Sequence, residues 1–367
     1  MKAKFNKAAL LEALTLVGSV VPSRTPKPIL QCVRITADKN GVSICATDLE
    51  VGISFEITQV EVQRRGNAVV PADKLTSIVR ESVDEVIELE VAEAAMHIRG
   101  ADSHFTIYGH DARQYPAMPS FEGKADLEVE LGNLQEGVEL SVFAAAREST
   151  RYALNGILWE VHGKKLTLVA TDGRRLAKSI VALASAADAK LAEQRIIVPA
   201  KTMSLFDRIG GEETEKVTVR FVDNQIVLAA GPVVVSSKLV EGSFPKYEDI
   251  IPTDYDKKVT VRTEAALSAV RRAALLASEE SKGIKLSLSK GSLVFSSRAP
   301  EMGDAQIDMA VDYSGADIDI GFNPQFLVDA MRVIRAEEFD LHLGDADRPG
   351  MIKTGADFLY IIMPVNL

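Results

Sequence analysis

The stretch "LTLVATDGR" (residues 166–174) reads as an apolar strand running into a polar turn, and it has a counterpart in "VSICATDLE" (42–50). The Thr-Asp pairs that open the two turns, at Thr47 and Thr171, lie 124 residues apart. A looser third copy is "SLVFSSRAPE" (292–301). Self-similarity at a fixed spacing is the sequence sign of a repeated structural unit, and the flanking chain carries it further.

Each copy opens with an amphipathic stretch expected to be helical: "KAALLEALTLVGSV" (7–20), "SVFAAARESTRY" (141–152) and "EAALSAVRRAALL" (264–276). Further on, an apolar strand feeds a helix through proline in "NAVVPADKLTSIVR" (67–80), "RIIVPAKTMSLFDR" (195–208) and "DIGFNPQFLVDAMR" (319–332). Proline in the first helical turn sacrifices no hydrogen bond. Each copy closes on a residue before proline, at Tyr115-Pro116, Phe244-Pro245 and Met363-Pro364. Between these landmarks apolar and polar residues alternate, as half-buried antiparallel strands require, around tight turns such as Asp223-Asn224 and Lys290-Gly291. The expectation is an α+β chain of three repeated β-rich domains with two helices each, at 1–123, 124–252 and 253–367.

The chain has 367 residues, is 47% hydrophobic and carries a net charge of -10. The N-terminal segment "MKAKFNKAALLEALTLVGSVV" is amphipathic and interrupted by Glu12, so it reads as a structural helix and the protein as cytoplasmic. Cys32 and Cys45 are too few for a disulfide framework and read as buried free thiols. Overall acidity argues against a uniformly basic surface but leaves room for a local one. The six expected helix windows (7–20, 73–80, 141–152, 201–208, 264–276 and 324–335) hold eleven Lys or Arg against six acids, an excess of +5.

Motifs of catalysis are missing: there is no GxxxxGK[ST] phosphate loop, no GxGxxG and no GxSxG. The histidines show no metal-ligand spacing, and His104 and His110 flank a predicted strand end, where an ordinary surface role outweighs metal binding. Asp345 and Asp347 sit in a turn composition, and Asp48 and Asp172 recur at equivalent turns, where aspartate accepts backbone donors. Two other readings stay open on these residues: a phosphate-handling hydrolase built on Asp172, Arg174 and Arg175, and a triple-domain scaffold of antiparallel sheets.

With "KPIL", "RYALNGILWE", "ATDGRRLA", "SKLVEGSFPKYEDIIP", "YSGADIDIGFN" and the terminal "YIIMPVNL", the chain resembles the bacterial DNA polymerase III β-subunit family, the sliding clamps, from Met1 to Leu367. The resemblance implies a non-enzymatic processivity factor needing no cofactor. It implies a head-to-tail homodimeric ring of six domains encircling duplex DNA, and partners such as the clamp loader, polymerase subunits and repair proteins, captured by a short linear peptide. By the same resemblance Arg24, Lys74, Arg147, Arg151, Tyr152 and Lys201 face DNA, and Phe105 meets Leu275 and Leu276 at the dimer seam. The partner-peptide cleft falls at Leu154, Thr171, Gly173, Arg174, Arg175, Leu176, Pro245, Ile250, Asn323, Phe326, Ile361, Ile362, Met363, Pro364, Val365 and Leu367. The chain departs from the family pattern at Ala153, Ser281, Gly303, Gln306 and Asn366.

Overall fold

The computed structural model describes residues 1–92, 95–118, 120–147, 153–191, 194–277, 283–300 and 302–366. Arg151, Tyr152, Ser281 and Leu367 lie outside the described residues. One order of elements, β–α–β–β–β–β–α–β–β–β, runs through the chain three times, the first time with one additional strand. The first pass is β1 (Lys2–Asn6), α1 (Lys7–Gly18), β2 (Cys32–Ala37), β3 (Val42–Thr47), β4 (Val51–Ile57), the additional β5 (Val60–Arg64), β6 (Gly66–Pro71), α2 (Ala72–Glu81), β7 (Val86–Ala92), β8 (Ala95–Arg99) and β9 (His104–Tyr108). The second is β10 (Leu127–Glu130), α3 (Leu131–Val142), β11 (Gly156–His162), β12 (Lys165–Thr171), β13 (Arg175–Ala182), β14 (Ile196–Pro199), α4 (Ala200–Met203), β15 (Lys216–Val222), β16 (Gln225–Ala230) and β17 (Val233–Lys238). The third is β18 (Lys257–Arg262), α5 (Thr263–Ala274), β19 (Ile284–Ser289), β20 (Ser292–Ala299), β21 (Gly303–Ala310), β22 (Ile318–Phe322), α6 (Pro324–Val333), β23 (Glu338–Leu343), β24 (Gly350–Thr354) and β25 (Phe358–Ile362).

Backbone packing divides the chain into two compact units that cut across these passes. One unit comprises Met1–Gly132, Ala184–Asp188 and Leu205–Leu239. It holds a five-stranded sheet, β5-β1-β7-β8-β9, and an eight-stranded sheet, β10-β15-β16-β17-β4-β3-β2-β6. The other comprises Asn133–Leu183, Ala189–Ser204 and Val240–Leu367, with an eight-stranded sheet, β14-β11-β12-β13-β25-β24-β23-β18, and a four-stranded sheet, β21-β20-β19-β22. The middle pass thus serves both units. The reason is strand pairing: β17 joins β4 from Val233↔Phe55 to Ser237↔Val51, and β25 joins β13 from Arg175↔Ile362 to Ser179↔Phe358. Each join satisfies a row of backbone groups that would otherwise form an open edge.

The apolar positions of the alternating strands point inward. Phe5, Leu10, Leu14, Ile35, Ile44, Ile53 and Leu75 are fully buried in the first unit, and Trp159, Phe295, Phe322 and Tyr360 in the second. Burial of each such side chain is worth about 1.5–3 kcal/mol. Cys32 and Cys45 are buried and free, their thiols pushed up to about 11 by burial. The expected hairpin turns form, with Asp223 and Gly291 in the left-handed region at φ 51° and 76°. Pro324 occupies the first turn of α6, whereas Pro71 and Pro199 close their strands as N-caps of α2 and α4.

One expected helix is misplaced. The second pass opens with α3 at Leu131–Val142, and the described residues of the 141–152 window beyond Val142 are turn and bend. Gly132 and Gly137 disguise this helix, since glycine is a poor helix former. Close packing explains Gly137: a Cβ there would stand 2.2 Å from Val181 Cγ2 and 3.2 Å from Leu168 Cδ1. The shift also removes three charges of the excess of five, and the observed bounds of α2 and α6, which take in Glu81 and leave out Arg335, remove the other two. Among the described residues the six α-helices and the short turn Phe206–Arg208 carry eight Lys or Arg (Lys7, Lys74, Arg80, Lys201, Arg208, Arg271, Arg272, Arg332) against eight acids (Glu12, Asp73, Glu81, Glu136, Glu139, Asp207, Glu264, Asp329). The helices are therefore neutral in sum.

The two ends of the glycine scale give opposite expectations. Gly137→Ala should destabilise by about 1–3 kcal/mol through overpacking, outweighing its gain in helix propensity. Gly18→Ala, whose Cβ meets nothing within 4 Å, should be neutral or stabilising by up to about 1 kcal/mol. Urea unfolding of both variants measures the contrast.

Candidate functional site

The turn between β12 and β13 is built from its own side chains. The Thr171 hydroxyl donates to the Arg175 carbonyl at 2.6 Å and accepts from the Gly173 amide at 3.1 Å. Asp172 Oδ1 accepts from the amides of Arg174 and Arg175 at 2.9 and 3.1 Å. Thr47 and Asp48 repeat the device around Leu49, Glu50 and Val51. Gly173 takes φ 86° without strain, while Leu49 takes φ 80° at its equivalent place with a side chain attached. Asp172 is therefore a turn former, and the hydrolase reading loses its acid.

Arg175 turns inward from the same loop. Its guanidinium donates to Asp172 Oδ2 at 3.0 Å, to Asp329 Oδ2 on α6 at 2.7 Å, and to the Phe143 carbonyl at 2.8 Å. It lies over the Phe326 ring with 4.5 Å to the centroid. Burial works against the charge, but the Asp329 bond together with Tyr360 and Asp172 holds its pKa above the usual arginine value. Its side chain is only 11% exposed, so Arg175 braces the turn, while Arg174 beside it is exposed.

Strand pairing brings the C-terminal segment to this turn. Leu176 faces Ile361 across the ladder, and the Met363 amide extends it by donating to the Arg174 carbonyl at 2.9 Å. The Val365 amide then donates to the Gly321 carbonyl on β22 at 2.9 Å. Leu154, Leu176 and Ile361 sink into one apolar cluster with Phe244, Tyr247 and Met351, edged by half-buried Val240, Ile251 and Tyr255. Thr171 and Ile362 are buried as well. Met363 is 37% exposed and Ile250 39% exposed, Gly173 and Arg174 are exposed, and Pro245, Pro364, Val365, Asn323 and Phe326 are half-buried. Asn323 caps α6, accepting from the Gln325 amide at 2.9 Å. Tyr360 donates its hydroxyl to the Phe326 carbonyl at 3.0 Å, and burial raises its pKa.

The sequence reading missed Asp329, Phe143 and Tyr360, which hold Arg175 and Phe326 in place. Of the expected DNA-facing residues, Arg24 and Lys74 are exposed in the first unit, and Arg147 and Lys201 are exposed in the second. Phe105 is 45% exposed on β9, Leu275 is 76% exposed after α5, and Leu276 is half-buried. Among the described residues no three His, Cys, Asp or Glu side chains gather as metal ligands, and no helix is long and apolar enough to cross a membrane.

Three passes of one β–α unit joined edge to edge make this a DNA clamp fold. Models of the DNA polymerase III beta subunit match the chain as N-terminal domain over residues 1–119, central domain over 128–246 and C-terminal domain over 248–366. The beta sliding clamp of Pseudomonas aeruginosa is 32% identical over 368 residues, covering 99% of each chain, and that of Bacillus subtilis is 29% identical over 379 residues, covering both fully. Crystal structures agree: a P. aeruginosa sliding clamp bound to griselimycin superimposes with TM-score 0.92 at 31% identity over both whole chains. A B. subtilis clamp gives 0.92 at 29%, covering 100% of this chain and 99% of its own. The chain belongs to the DNA polymerase III β-subunit family, and its function is that of a processivity clamp in DNA replication.

The contrast between the adjacent arginines is measurable by urea unfolding. Arg175→Lys keeps the charge but loses the planar donor fork, and should destabilise by about 2–3 kcal/mol. Arg174→Ala should stay within about 0.5 kcal/mol of the parent protein.

Proposed function

We propose that two copies of this chain close head to tail into a six-domain ring around duplex DNA, with residues 1–123, 124–252 and 253–367 each forming one domain. The ring is non-catalytic, works in the cytoplasm without a cofactor, and holds the polymerase to its template. The observation that carries the reading is a joining rule. In both eight-stranded sheets the last strand of one pass, β17 or β25, pairs with the strand before the loop of the preceding pass, β4 or β13. Applied once more, the rule pairs β9 with the β21 of a second copy. Both strands stand at the outer edge of their sheets, β9 in one unit and β21 in the other. A heterologous contact of this kind closes a ring when its rotation completes a circle. Phe105 on β9, with Leu275 and Leu276 beside the other edge, supplies apolar surface for that seam.

Sequence-independent retention needs phosphate attraction without base readout, and exposed Arg24, Lys74, Arg147 and Lys201 suit it. Since the helices sum to no net charge, encirclement rather than grip carries the residence time. The groove over Leu154, Leu176 and Ile361 takes short linear peptides from the clamp loader, polymerase subunits and repair proteins. Apolar anchors fit among Met363, Pro364, Val365, Pro245 and Ile250, and methionine adapts to varied occupants. A tethered polymerase then rebinds its template before it diffuses away.

Loading onto closed circular DNA, followed by cutting of the circle, tests the ring. Retention on the circle with release on linearisation is the expected outcome; equal retention on circular and linear DNA of the same length would refute encirclement.

A further inference from the structure

The solvent face of the five-stranded sheet carries a cross-strand ladder of polar side chains. Register sets Arg64 and Glu90 opposite Lys2, His97 opposite Glu90, Arg99 opposite Glu88, Thr106 opposite His97, and His104 opposite Arg99. Toward the interior of the sheet the ladder is internally paired, because Arg99 binds Glu88 and Glu90 at 3.1 and 2.6 Å and Lys2 lies 3.3 Å from Glu88. Toward edge strand β9 it ends in two imidazoles. His97 Nδ1 and His104 Nε2 face each other at 3.2 Å, with the Thr106 hydroxyl 3.1 Å from the same His97 nitrogen. The rings are tilted by 39° and their centroids lie 5.3 Å apart, so they converge through their nitrogens and do not stack.

We propose that His97 and His104 bind a borderline divalent transition-metal ion of the zinc, nickel and copper class. The geometry carries this assignment. With metal–nitrogen bonds of about 2.0–2.1 Å, two ligands of a tetrahedron stand roughly 3.3 Å apart, close to the separation of the two facing nitrogens. Imidazole selects these metals over magnesium and calcium, which take oxygen. Glu90 is held by Arg99 and does not join, so the Thr106 hydroxyl and water complete the shell. The site is correspondingly weaker than a closed structural one. It clips β9 onto β8 on the face opposite Phe105.

Calorimetric titration of the tag-free full-length protein with ZnSO4, NiSO4 and CuSO4 in a non-chelating buffer tests the site. One saturable ion per chain is expected, with copper tightest and millimolar magnesium unable to displace it. His97→Gln and His104→Gln should each weaken binding at least tenfold, while His162→Gln leaves it unchanged. In the unmodified protein, nickel should broaden the imidazole resonances of His97 and His104 first. Absence of saturable uptake, uptake undiminished in His97→Gln or His104→Gln, or broadening centred on other histidines would overturn the assignment.

Discussion

Backbone hydrogen bonding between β13 and β25 is the constraint on which the rest of the site depends. The turn at Thr171–Arg175 and the C-terminal segment Ile361–Val365 are almost two hundred residues apart in sequence. The ladder from Arg175↔Ile362 to Ser179↔Phe358 makes them neighbours. Register matters as much as pairing. A slip of one residue by β25 would turn Ile361 away from the cluster it shares with Leu154 and Leu176. The same logic governs the other boundary, where β17 completes a sheet begun by β4. Pairing at sheet edges thus links the chain's repeats and also brings the Thr171–Arg175 turn beside the segment Ile361–Val365.

A second constraint acts through Arg175. A guanidinium this deeply placed would be costly alone, yet two carboxylates, a carbonyl and the Phe326 ring satisfy it. The network ties the β12–β13 turn to α6 and to the end of α3. It leaves the neighbouring Arg174 free of that structural duty. Two adjacent arginines therefore differ in role, Arg175 fixing the turn and Arg174 lying exposed.

Much of this was legible in the sequence. The Thr-Asp turns, the strand-to-helix prolines and the alternation of the strands are local signals, and local signals repeat faithfully when a unit is tripled. What stayed hidden is non-local. Gly137 weakens the helical pattern of α3 because Val181 and Leu168 leave no room for a side chain, a fact contained in tertiary packing alone. Misplacing that helix by ten residues substituted Arg147, Glu148 and Arg151 for Glu136 and Glu139 and so created three of the five charges of the apparent positive excess. Asp329 carries no motif, and its role exists only because α6 lies beside the turn. The pairing of His97 with His104 across two strands needs the β8–β9 register, which alternation alone does not fix.

Native-state hydrogen exchange, read by mass spectrometry across the β13–β25 ladder, tests the central claim most directly. Amides bridging β13 and β25 should exchange as slowly as those bridging β12 and β13, because both ladders belong to one cooperative sheet. Rapid exchange confined to the β13–β25 ladder, with β12–β13 still protected, would contradict the account, since the turn and the C-terminal segment would then not be held together.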